Sequence, residues 1–309
     1  MNRSILWLMA AVLSWGVGEG MFFIFQPIYL SQLGADPLQI GYILGAAGIA
    51  MSVAHIPAGY LADRFGSRPL LRIAWLFGTV ATWIMALAPN LAFFIAGLLL
   101  YGLTAFVASP LSSYVTSMRG SWTVGRAITL LSVTFNLGFV IGPLAGGWLG
   151  DHFGLRTVYF IAGSIFIVSN IFIFAIAAQP RPEHDSAARP VNLFNNGRYL
   201  GFLALGFIVI FGMYLPQPFT PKFLQDVRHL SLSEIGLLGT FGGAGNAGLS
   251  FLLGFLNARA GFILGQVCVG MFAALLWQST GYGWFALGYF LLGGFRASRS
   301  TTARCGRSG

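Results

Sequence analysis

The sequence predicts an all-α membrane protein, a bundle of spanning helices, and three observations carry that prediction. Of its 309 residues, 56% are hydrophobic and 8% charged, more apolar surface than a water-soluble domain of this length can hide. The apolar residues fall into ten runs, near 5–29, 38–61, 70–88, 91–114, 127–149, 157–178, 199–220, 233–256, 262–279 and 283–297. Most reach the roughly 20 residues that a spanning helix needs, the last being short. Glycine is abundant at 42 residues, as expected where helices approach closely in lipid.

In chain order, Met-Asn-Arg-Ser leads into an apolar run that continues to about Leu30 with no small-residue cleavage site, so the first run reads as a retained helix. Six runs follow one another through brief loops. Then comes a polar stretch holding Pro180, Arg181, Pro182, Glu183, His184, Asp185 and Arg189. This divides the chain into a six-helix half (1–178), a linker (179–198), an incomplete half of about four helices (199–297) and a polar tail (298–309). The halves echo each other at a shift of 195. Ile40-Gly41 falls on Ile235-Gly236, Gly59 on Gly254, Leu61 on Leu256, Arg64 on Arg259 and Gly66 on Gly261.

The formal net charge of +9 is dispersed between apolar runs, with no soluble basic face for nucleic acid, and reads as membrane orientation. One set of loops carries Arg3, Arg64, Arg68, Arg72, Arg119, Arg126, Arg181, Arg189, Arg198 and Arg259; the other carries Arg156, Lys222 and Arg228. That asymmetry puts the N-terminus in the cytoplasm of a cell membrane. Cys268 and Cys305 are distant and lone, so neither a metal site, a cofactor nor a disulfide framework is expected. No nucleotide-binding loop is visible, which argues against an ATP-driven pump. No convergent His, Asp or Cys groups point to an enzyme.

Two motifs stand out. Between the second and third runs, Gly59-x-Leu61-Ala62-Asp63-Arg64-x-Gly66-x-Arg68-x-x-Leu71-Arg72 packs an acid and three arginines into a tight reversal. Asp63 sits in a last helical turn, where the macrodipole disfavours an acid by a few tenths to about 1 kcal/mol. It therefore needs an arginine or the positive start of another helix. In the fifth run, Gly138-x-x-x-Gly142-Pro143-x-x-Gly146-Gly147 places glycines four apart on one face for close packing, with a proline that kinks the helix.

The first motif resembles the loop signature of the major facilitator superfamily of secondary transporters, and the second is similar to that family's antiporter motif. The resemblance implies a helical bundle of two repeated halves alternating access around a central site. It further implies a small-molecule substrate, proton-coupled efflux as the finer expectation, and a monomer if the chain is complete. Residues 59–72 would then gate the cytoplasmic side. Three departures qualify it: Ser67 stands where a basic residue is usual, and Leu98 where proton-coupled antiporters carry an arginine. The family is also usually built of twelve helices, so a C-terminally truncated, non-transporting relative that needs a missing segment or partner is the alternative expectation.

Glu19 is the principal candidate for the substrate or ion path. It lies mid-run, where a charge costs at least about 2.5–3.5 kcal/mol, and shares one helix face with Trp15, Phe22 and Gln26. It reads either as a group that binds a proton or a cationic substrate, or as a neutral acid tied between helices. Gln26, Tyr101, Asn136 and Gln217 are further polar candidates, each equally readable as a helix tie. His55 reads as interfacial, and Asp226, Arg228, His229 and Glu234 as a solvated loop. With Cys268 and Cys305 replaced by Ser, membrane-impermeant maleimide is expected to label Arg64→Cys from the cytoplasmic side alone and Phe153→Cys from outside. Labelling of Arg64→Cys in intact cells would reverse this orientation.

Overall fold

The computed structural model describes residues 3–179, 217–253 and 258–305, with isolated positions between 197 and 214. Most of the expected linker and seventh run, Gly254 and Leu256 of the repeat, and the side chain of Asp63 lie outside the described residues. The described chain is helical throughout: α1 (Arg3–Phe23), α2 (Gln26–Gln32), α3 (Pro37–Phe65), α4 (Ser67–Leu87), α5 (Leu91–Leu103), α6 (Ala108–Met118), α7 (Val124–Phe153), α8 (Leu155–Phe174), α9 (Thr220–Asp226), α10 (Leu232–Leu253), α11 (Ala258–Gln278) and α12 (Tyr282–Cys305). Among the described residues six spans are long and apolar enough to cross a membrane: Arg3–Phe23, Pro37–His55, Ser67–Leu87, Leu91–Met118, Val124–Phe153 and Leu155–Phe174. Large apolar side chains such as Tyr42, Phe77, Leu137, Ile171 and Trp277 point outward, as they do when the surrounding solvent is lipid. This is an integral membrane protein.

Three elements differ from the apolar pattern. The first run is not one helix: α1 stops at Phe23, a turn passes through Ile24 and Phe25, and α2 restarts with Pro27 in its first turn. Proline lacks the N–H that would continue the ladder, so the chain breaks just before it. The fourth run continues past residue 114 to Met118, through a 3-10 turn at Thr104–Val107. Finally, α12 continues as helix through the basic stretch to Cys305, beyond the apolar run that ends near 297.

The internal echo has local counterparts. α2 and α9 are both seven-residue helices that begin at an X-Pro pair. Gly34 and His229, 195 apart, both adopt left-handed backbone at φ +95° and +56°. Two residues further on, each half opens a long helix with a reciprocal cap. Asp36 Oδ1 accepts from Gln39 N–H at 2.8 Å while Gln39 Oε1 accepts from Asp36 N–H at 3.1 Å. Glu234 Oε2 accepts from Ser231 N–H at 2.8 Å and Ser231 Oγ from Glu234 N–H at 3.2 Å.

Within the first half, α4 and α8 run antiparallel and cap one another's C-terminal carbonyls with arginine. Arg72 donates from Nη2 to Phe174 O at 2.6 Å and stacks over the Phe174 ring. Arg156 donates from Nε to Ala86 O and from Nη2 to Ala88 O, both at 3.0 Å. In the second half Arg228 donates to Leu276 O and Trp277 O at 3.1 Å, which ends α11 in the same manner. A cation at a helix C-terminus also opposes the dipole. The loop expected to be merely solvated is therefore partly structural, since Lys222 also pairs with Asp226 at 2.8 Å.

The halves meet along α7, which lies between α1 and α10. Gly138, Gly142 and Gly146 face the α1 backbone from Leu13 to Met21, and Gly147 faces Leu232 and Ser233 at the start of α10. A Cβ on Gly146 would run into the Met21 carbonyl, and one on Gly147 into that of Leu232. Pro143 packs against Gly236 and Gly239 of α10. The expected glycine face is thus a two-sided joint. Gly146→Leu is expected to destabilise the detergent-purified protein by about 1–3 kcal/mol in thermal unfolding, because overpacking forces the backbones apart. Gly125→Leu, in open space, should change little.

Candidate transport cavities

Glu19 lies one turn before α1 ends at Phe23, and the apolar α2 continues the passage beyond it. The Glu19 side chain lines a chamber of about 310 Å³ inside the first half, bounded by Trp15, Met51, His55, Trp75, Tyr101 and Phe135 among others. Its Oε2 accepts from Trp15 Nε1–H at 3.1 Å, as the shared helix face of residues 15 and 19 requires. The indole that holds it is itself fixed. Trp15 stacks on Phe166 with centroids 4.1 Å apart and planes 7° from parallel, and lies 5.0 Å from Trp75. Gly78 leaves the room for this, since a Cβ there would enter the indole ring. The Tyr101 hydroxyl is buried without a hydrogen bond, and its ring stacks 6.1 Å from Trp15.

A second cavity of about 340 Å³ lies between the halves. Its first-half wall includes Phe23, Gln26, Leu44 and Phe139; its second-half wall includes Tyr214, Gln217, Phe272 and Tyr289. Phe23, Gln26, Ala47 and Met51 line both cavities. The break between α1 and α2 therefore stands at their junction, with Glu19 one turn before it and Gln26 just after.

The predicted site residues separate into three groups. Glu19, Gln26, Tyr101 and Gln217 come together on the two cavities. Asn136 lines neither: its Nδ2 donates to Ser132 O at 2.7 Å and its Oδ1 accepts from Asn246 Nδ2 at 2.8 Å, so it ties α7 to α10. In the 59–72 stretch, Gly66 makes the reversal at φ +80°, and Arg64 extends to Tyr60 Oη at 3.3 Å and over Phe65. Arg68 is partly buried, and Arg72 caps α8. Gly59 lies in α3. His55, expected to be interfacial, stands at the rim of the Glu19 chamber with Nδ1 2.7 Å from Met51 O. Trp75, Met51, Phe135 and Tyr289 also form cavity walls, and nothing in their spacing marks them apart from lipid-facing neighbours.

The sequence matches the model of the Major Facilitator Superfamily over residues 6–303. It is 28% identical over 216 residues to the multi-drug resistance efflux pump PmrA of Streptococcus pneumoniae, covering 66% of this chain and 53% of that protein. It is 27% identical over 309 residues to the class C tetracycline resistance protein of Escherichia coli, covering 94% of this chain and 77% of that protein. The chain thus spans about half the length of the pneumococcal relative. In fold it is similar to the nucleoside transporter NupG (D323A mutant), at a TM-score of 0.81 and 14% identity over 99% of this chain and 84% of the other. A bacterial homologue of the lysosomal transporter Spinster, in an inward-facing and occupied conformation, superposes at 0.73, with 18% identity over 96% and 73%.

Because Arg72 caps α8, Arg72→Ala is expected to lower thermal stability by roughly 1 kcal/mol, the scale of an exposed cation at a helix end. Arg72→Lys should recover part of that loss, keeping the charge without the planar stack on Phe174. A melting temperature unchanged in both variants would deny the cap any energetic weight.

Proposed function

The chain belongs to the Major Facilitator Superfamily, and from that premise we propose that it is a secondary transporter moving a small molecule by alternating access of its two halves. The observation that carries the reading is the pair of adjoining cavities. One encloses a membrane-embedded carboxyl among aromatic rings; the other lies between the halves, and the break in the first helix touches both. In this reading the inter-half cavity seats the substrate through Gln26, Gln217 and its aromatic walls. Glu19 takes up and releases a proton in the side chamber, with the Trp15 indole as its hydrogen-bond donor and the Tyr101 ring beside it on the chamber wall. Occupancy of one cavity shifts the helix break and so alters the other.

The names of two relatives, a multi-drug resistance efflux pump and a tetracycline resistance protein, support export of amphipathic compounds as the direction. Taking the arginine-rich end as cytoplasmic, we read the opposite, Asp151 end as the closed one. α7 and α10 touch from Asp151 to the Asn136–Asn246 pair, and beyond it Ser132, Val133, Ala247 and Gly248 are exposed. In this reading residues 59–72, at the arginine-rich end, gate that side.

The test is transport in inverted membrane vesicles with an imposed pH gradient, using ethidium and tetracycline as probes. Glu19→Gln removes the titrating group while keeping shape, and is expected to reduce gradient-driven accumulation by at least about tenfold at equal protein level. Full accumulation by Glu19→Gln would remove Glu19 from the coupling step.

A further inference from the structure

Asp151 is placed against the grain of its own helix. It lies in the last turn of α7, where the helix dipole disfavours a negative charge. Its two oxygens reach instead across the joint between the halves. Oδ1 accepts from Leu232 N–H at 2.9 Å and Oδ2 from Ser233 N–H at 2.7 Å, both in the first turn of α10. The first four N–H groups of a helix have no partner within it. In α10, Ser231 and Glu234 satisfy each other's, and Asp151 takes the two that remain. The second half's cap is thus completed by a residue of the first.

The geometry points to Asp151 as a positioning residue for alternation, a latch whose carboxylate holds the halves together at the end opposite residues 59–72. This inference rests on the transport reading above. Asp151 stands at the extremity of a single line of contacts between α7 and α10. The line runs through Gly147 against Leu232, Pro143 against Gly236, Thr240 Oγ1 donating to Val140 O at 2.7 Å, and Asn246 donating to Asn136. Opening this end requires the line to part from Asp151 first. Two charge-assisted bonds resist that, strengthened because the carboxylate moves from the negative end of one helix to the positive end of another. The latch is also reversible. Asp151 and Ser233 lie at the exposed edge, so water can take over both bonds when they break.

The experiment uses the full chain in lipid nanodiscs, with Cys268 and Cys305 replaced by Ser. Spin labels at Phe153 and Trp277 report on the Asp151 end, and labels at Ser121 and Ile263 on the other, all at exposed positions. Distance distributions are read by double electron–electron resonance. Asp151→Ala is expected to raise the ratio of open to closed at the Asp151 end by at least about tenfold. Asp151→Asn, which keeps one acceptor oxygen, should give a smaller rise, and Asp151→Glu should stay nearest to the parent. Glu234→Gln weakens the cap within the second half alone, and should lower thermal stability without moving the distances. If Asp151→Ala fails to fold, the near-isosteric Asn variant carries the comparison. A parent that visits both facings while the Ala and Asn variants keep its distribution overturns the latch and leaves the transport reading intact. A parent fixed in one facing at every pH and with either probe, yet opened by Asp151→Ala, supports the latch and overturns alternation.

Discussion

The structure depends on backbone-to-backbone contact along α7. Lipid gives apolar helices no reason to leave it for one another, so association has to come from close packing and from polar groups that cannot be satisfied elsewhere. α7 supplies both. Its glycines at 138, 142 and 146 admit α1 to within backbone contact, and Gly147 admits the start of α10. The side chains of Asn136 and Asp151, with the carbonyl of Val140, then add hydrogen bonds to the second partner. One helix is therefore both a wall of the first half and the surface against which the second half bears. A glycine face toward α1 and a polar, edge-exposed face toward α10 make α7 a joint with two unlike sides.

Much of this was legible in the apolar pattern, and the exceptions have definite causes. Each of the six expected runs of the first half coincides with a spanning helix, because run length measures bilayer thickness directly. The break at Phe23–Gln26 is not evident from hydropathy, although Pro27 stands just beyond it. In a bilayer the residues on either side of a break remain apolar, so hydropathy runs on uninterrupted. Glu19 stands out by its cost, since an acid in the middle of an apolar run needs a reason to be there. Its chamber does not, because Trp75, Met51 and Phe135 are cavity walls by virtue of how helices pack, and in sequence they resemble the lipid-facing aromatics.

The need of an acid in a last helical turn for an arginine or the start of another helix is legible at Asp63. Among the described residues it is realised at Asp151, which sits in the same kind of position at the other end of the bundle. Asp63 has Arg64 beside it in sequence, whereas Asp151 has no arginine nearer than Arg156. The partner of Asp151 lies 81 residues away along the chain, and only the approach of α10 decides which orphan N–H groups it meets. Asn136 shows the same limit from the other direction, since its spacing fits a cavity wall but its amide is spent on Asn246.

The arginines that fasten helix ends bear on how such a chain is oriented from its charges. Positive residues on a membrane protein comprise two populations, those retained by the insertion machinery on one side and those recruited as stoppers for exposed carbonyls. Arg72, Arg156 and Arg228 are of the second kind, and two of them stand on the side where cations are scarce. Setting the stoppers aside leaves that side with Lys222 alone, itself neutralised by Asp226. The distribution of basic residues therefore carries two signals, one of which belongs to the folded bundle.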